Sequence, residues 1–143
     1  MSKEQLLQEY ADAFEQLIGT AFLAEQRGVA RQKDMWGPRE IVAHLAGWEV
    51  MASARISLIA AGKPPFEFHE TPQIADAINA IIVTMIGDQT LDALIGTLRQ
   101  AYQRNIELLK KVDDTRFRSG EYVYERTKAV IEHCQEHMEQ LAL

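Results

Sequence analysis

Apolar residues recur every three or four positions along most of this 143-residue chain. That spacing is the strongest constraint on what the chain can fold into. On a helix of 3.6 residues per turn it gathers them into one stripe. Leu6, Leu7, Tyr10, Ala13, Phe14, Leu17, Ile18 and Ala21 form the first stripe. Ser2 followed by Gln5 fits a capping box and Gly28 a stop, which predicts a helix over residues 2–27. Pro38 suits the first turn of a second helix, where its missing N–H costs nothing. Ile41, Leu45, Trp48, Ala52, Ile56 and Ile59 form its stripe, closed by Gly62 and Lys63-Pro64-Pro65. Pro72 can open a shorter piece to about Ile86, and after Gly87 either Asp88 or Thr90 can cap the next helix. That helix carries Leu91, Leu94, Ile95, Leu98, Ala101, Tyr102, Asn105, Ile106, Leu109 and Val112. After a loop ending near Gly120, a last helix is predicted from Tyr122 to Leu141, with Val123, Thr127, Val130, Cys134, Met138 and Leu141 inward. No stretch alternates with period two, so no sheet is expected. The prediction is an all-α four-helix bundle with one extra short helix, a single domain over residues 1–143.

Charge and cysteine usage exclude several functions. Fifteen Lys and Arg against 21 Asp and Glu give a net charge of −6. That balance argues against nucleic acid as a partner, because phosphate binding needs clustered cations. Arg116, Arg118, Arg126 and Lys128 are too few to change this and read as a solvated rim. The single cysteine, Cys134, permits neither an intrachain disulfide nor a Cys-rich zinc module. It reads as a small buried hydrophobe rather than a reactive thiol. The most apolar run, residues 75–86, is well short of the ~20 residues of a membrane helix. With no cleavable apolar leader after Met1, a cytoplasmic protein without a membrane partner is expected. Ile81, Ile82, Val83 and Met85 can pack internally or serve an interface with a second copy.

Chemistry concentrates in the histidines: His44, His69, His133 and His137. His133 and His137, four apart, share a helix face with Cβ atoms about 5–6 Å apart. Taking Cys134 as reference and stepping about 100° per residue, His137 falls about 60° and His133 about 100° away on the same side. Both therefore flank the core stripe. His44 flanks the second helix's stripe in the same way, just before Leu45. The three can converge at one end of the bundle, where neutral imidazoles could hold a divalent ion and leave positions for water or substrate. The competing reading is hydrogen-bonded histidines at a core edge. A structural zinc site would need a fourth protein ligand, and none is evident. His133-Cys134-Gln135-Glu136-His137 also matches the H-x-x-E-H peptidase signature. That signature needs a further carboxylate well downstream, and only six residues follow His137. His69, in a proline-bounded loop, reads as a solvated histidine or a lid residue.

The block Trp36-Gly37-Pro38-Arg39-Glu40-Ile41-Val42-Ala43-His44-Leu45-Ala46-Gly47-Trp48-Glu49 resembles the W-x-x-x-E-I-x-x-H-L-x-x-W-E pattern of the DinB-like superfamily, and within it the ClbS/DfsB branch. Gly62-Lys63-Pro64-Pro65, Ile74 to Asn79, Thr90-Leu91-Asp92 and the C-terminal H-x-x-E-H are similar to the same branch. The resemblance implies a four-helix bundle whose His44, His133 and His137 bind a divalent metal, nickel or zinc. It implies no single reaction, since the superfamily spans thiol-dependent transferases, a hydrolase, isomerase domains and members without known activity. Two functions are expected on this basis. One is a metal-dependent enzyme acting on a small electrophilic substrate with a low-molecular-weight thiol or water as nucleophile. Glu49 and Glu136 would be its acid–base candidates, and Trp36 and Trp48 would wall the pocket or pack its rim. The other is a non-catalytic bundle that binds a small molecule or a partner.

Overall fold

The computed structural model describes residues 2–32, 35–66 and 70–142. Five α-helices follow in order: α1 Lys3–Gln26, α2 Pro38–Ala60, α3 Pro72–Ile86, α4 Leu91–Lys110 and α5 Tyr122–Ala142. A single 3-10 turn over Asp114–Arg116 precedes α5. No strand forms among the described residues, only an isolated bridge between Gln32 and Met35. None of these helices is long and apolar enough to cross a membrane.

Helix ends follow local chemistry. Ser2 Oγ accepts from Gln5 N–H at 3.2 Å while the Gln5 side chain accepts from Ser2 N–H at 3.0 Å, a reciprocal capping box. α1 ends as Gly28 turns left-handed at φ 80°, and Val29 N–H reaches back to Ala24 C=O. Thr71 and Thr90 cap α3 and α4 through their hydroxyls. Thr90 therefore takes the cap, not Asp88. At the start of α2, Glu40 accepts from Gly37 N–H at 2.8 Å. A Cβ at Gly37 would lie 2.7 Å from Arg31 N and 2.8 Å from Ala30 C, so the loop from α1 can cross here only over a glycine.

Contacts between helix ends fix the topology. Lys3, opening α1, donates to the carbonyls of Lys110 and Val112 at 2.9 and 2.6 Å, placing a cation at the end of α4. Arg27, just past α1, donates to Leu141 C=O near the end of α5 at 3.2 Å. Hence α1 is antiparallel to α4 and parallel to α5. Arg55, late in α2, lies over the ring of Tyr122, the first residue of α5, so α2 opposes α5. The bundle is up-down-down-up, and α3 occupies the crossover between the parallel pair α2 and α4.

The core is continuous. Tyr10 meets Phe14 edge-on at 5.1 Å, and Phe14 stacks on Tyr102 at 5.0 Å. Leu17, Leu94, Leu98 and Leu109 are fully enclosed around them, each contributing about 1.5–3 kcal/mol by burial. Two residues depart from the expected pattern. Trp48 is half-buried rather than central to the core, and the buried position goes to its neighbour Glu49, at 2 % exposure. None of the residues of α3 is fully buried. Its Ile82 lies over Gly47 of α2 and packs with Ile86 against the core, while Ile81 and Met85 stay exposed.

Candidate metal centre

The α2 stripe His44, Trp48, Met51/Ala52 and Arg55 faces the α5 stripe Tyr122, Arg126, Ala129/Val130 and His133. The spacings of three and four place each set on one helix face. The trough between these two helices has a volume of about 570 Å³. Phe66, Glu70, Ala75 and Asn79 close its side.

His44, His133 and His137 meet at one end of this trough. His44 Nε2 lies 3.1 Å from His133 Nε2, and His137 Nε2 lies 3.0 Å from it. The outer nitrogens are engaged: His44 Nδ1 with Asn79 Oδ1 at 2.8 Å, His137 Nδ1 with Gln140 Oε1 at 2.8 Å, and His133 Nδ1 beside Glu136 Oε2 at 3.5 Å. The proton on His44 can be placed. Trp48 Nε1–H, which can only donate, points at the same Asn79 oxygen at 2.5 Å. That atom is therefore an acceptor, and His44 Nδ1 must be the donor to it. His44 Nε2 is left with its lone pair facing the other rings. Gln140 Oε1 imposes the same tautomer on His137.

This pattern fits a cation better than a hydrogen-bonded cluster. His133 Nε2 carries at most one hydrogen when neutral, so it can satisfy only one of the two lone pairs aimed at it. The second contact then opposes lone pair to lone pair. A divalent ion resolves the opposition. Ligand nitrogens about 2.0–2.1 Å from a metal and at right angles are about 3 Å apart, close to the separations found here. Outer-nitrogen hydrogen bonds to amide oxygens and a carboxylate are the usual support of metal-binding imidazoles. Burial favours the neutral, ligating form. It holds His44 down to about 4, against the opposing effect of Asn79, and it lowers His137. The donor set therefore fits a divalent metal, with no fourth protein ligand in the group.

The other expected residues fall as follows. Glu136 is exposed at the rim beside His133. Glu49 lines the trough but is committed: Tyr10 Oη and Arg126 donate to its carboxylate, and Asn105 Nδ2 donates to it at 3.2 Å. Arg126 is not on a solvated rim, since its side chain is 16 % exposed. Burial works against its charge, but Glu49 and Tyr10 outweigh that and raise the guanidinium above its ordinary range. Cys134 is fully enclosed, and burial pushes its thiol up to about 12, so it is no nucleophile. Trp36 lies against His44, ring centroids 5.0 Å apart. His69 lies outside the described residues.

Two contributors, Asn79 and Gln140, were given no part in the site by the sequence reading, and a third, Arg126, was read as solvated rim. Asn79 is a polar residue inside the most apolar run, which was its signal. Gln140, three residues after His137, shares its face. Arg126 stands seven residues before His133, two turns along the same stripe.

The sequence model of the DinB superfamily matches residues 1–141. No curated protein and no solved structure matches the chain.

Proposed function

The chain belongs to the DinB superfamily, and from that premise we propose that it is a divalent-metal-dependent enzyme, a thiol-dependent transferase or hydrolase acting on a small electrophile. We place it in the ClbS/DfsB branch, on the sequence blocks around His44 and His137. The observation that carries this reading is the convergence of three imidazole Nε2 atoms, with outer nitrogens already engaged, at the end of a trough large enough for a small molecule. In this proposal His44, His133 and His137 hold nickel or zinc. Such an ion, when bound, supplies Lewis acidity and lowers the pKa of a thiol or water.

The chain's own residues then have definite tasks. Asn79 orients His44 and holds its proton on Nδ1. Trp36, Trp48 and Val130 restrict water at the buried side of the site. Glu136, within reach of solvent, is the group placed to exchange protons near His133. Glu49 serves in this reading as a positioning residue, because Arg126, Tyr10 and Asn105 occupy its oxygens.

That commitment of Glu49 favours the second reading, a bundle that binds a small molecule without turning it over. Metal analysis of purified wild type and His133→Ala separates the outcomes. Stoichiometric nickel or zinc in the first and none in the second supports the site, and a thiol-transfer screen against electrophilic dyes must then depend on that metal. No metal in either protein, even with excess ion, leaves the binding module.

A further inference from the structure

The far end of the trough holds a cation that the three-histidine site does not explain. Arg55 follows His44 by 55 − 44 = 11 residues, three helical turns, which returns it to the same face of α2 about 16 Å along. Its guanidinium lies 4.1 Å over the ring centroid of Tyr122 and 5.9 Å from that of Phe66. Its Nε is buried and has no hydrogen-bond partner among the described residues. Arg126, the other trough arginine, is satisfied by Glu49 and Tyr10. Glu70, on the trough's side, is exposed at its rim.

A guanidinium keeps its charge at any ordinary pH, and its donors lie in one plane. Aromatic rings lie against its faces and its Nε is enclosed, which leaves the terminal Nη edge for a planar, two-oxygen acceptor, the geometry of a carboxylate. Between Arg55 and His44 the wall is mostly apolar, built from Met51, Ala52, Ala129 and Val130, and the charged Glu49 and Arg126 that also line it are paired with each other.

We propose that Arg55 is a specificity residue: it binds the carboxylate of a small amphipathic substrate or thiol whose other end lies at the three histidines. The placement of that other end rests on the metal reading above, whereas the carboxylate site does not.

Calorimetric titration with matched probes tests both parts. Metal-loaded wild type is expected to bind 6-mercaptohexanoate at least tenfold tighter than 6-mercapto-1-hexanol. Arg55→Gln is expected to erase that preference, leave the affinity for the alcohol unchanged and retain the wild-type circular dichroism. Arg55→Lys is expected to keep part of the preference, as a point charge without the planar fork. The same comparison with hexanoate and hexanol on chelator-treated protein removes the metal from the question. A carboxylate preference there supports Arg55 even if no ion binds the histidines. Equal affinity of acid and alcohol, no measurable binding of either acid, or equal loss of both ligands in Arg55→Gln overturns the proposal.

Discussion

Asn79 shows how one side chain can set the chemistry of another. Its oxygen accepts from both Trp48 and His44, and so decides which His44 nitrogen faces the trough. Asn79→Ala is expected to weaken metal affinity about 10–100-fold with all three histidines intact, measured by chelator competition. The buried pair of Glu49 and Arg126 is a different kind of contact, since removing one partner strands the other. Arg126→Met is expected to cost about 3–5 kcal/mol in urea unfolding, with much of that recovered in the double variant that also carries Glu49→Met. Glu15 gives a pH-dependent case. Hydrogen bonding from Arg99, with that from Tyr102, holds its carboxyl below the ordinary range. A carboxyl lowered on folding stabilises above its unfolded pKa and loses that contribution as pH falls through the folded value. Glu15→Gln is therefore expected to lower stability by no more than about 1 kcal/mol at neutral pH, because the pair is half-exposed and screened. The gap should close as pH drops below about 4.3 in urea titrations. The histidine convergence was partly legible in the sequence, because helical spacing puts each ring on the flank of a core stripe. The tautomer of His44 was not, since it depends on Asn79, which lies on another helix and reaches His44 only when α3 docks.

Among the helices, α3 is the least anchored. It has no fully buried residue and rests on α2 where Gly47 admits Ile82. Amide hydrogen exchange should therefore be fastest in α3 among the five helices. Gly47→Val is expected to raise it further, since even a Cβ there would lie 2.5–2.9 Å from Ile82 side-chain atoms. Slower exchange in α3 than in α4 would contradict this account. The helix boundaries were readable to within a residue or two because Ser2, Gly28, Pro38, Pro72 and Thr90 act locally. Which face of α2 is dry was less readable. Apolar periodicity placed Trp48 inward, but α3 and the trough draw it aside and Glu49 is buried with Arg126 instead.

At the scale of the whole molecule, the three histidines join α2 to α5 at one end of the trough, beyond the Glu49–Arg126 pair and the Arg55–Tyr122 contact that bridge the same two helices. An ion bound there would tie residues 44 and 133, which are 133 − 44 = 89 positions apart. Metal at a hundred times its dissociation constant is expected to add about 2.7 kcal/mol of stability. Chelation should then lower Tm by several degrees, and His133→Ala should be insensitive to the chelator. The up-down-down-up order was not legible from periodicity, which counts helices without giving their directions. It emerges from long-range contacts such as Lys3 with the end of α4 and Arg27 with the end of α5.

Both tryptophans of the chain flank His44: Trp36 packs on its ring and Trp48 shares its amide partner. The protein thus carries a built-in optical probe with no background indole elsewhere. A paramagnetic ion such as nickel(II) would quench its near-ultraviolet emission, whereas closed-shell zinc(II) would leave it bright, so the glow of the unlabelled protein would distinguish the two.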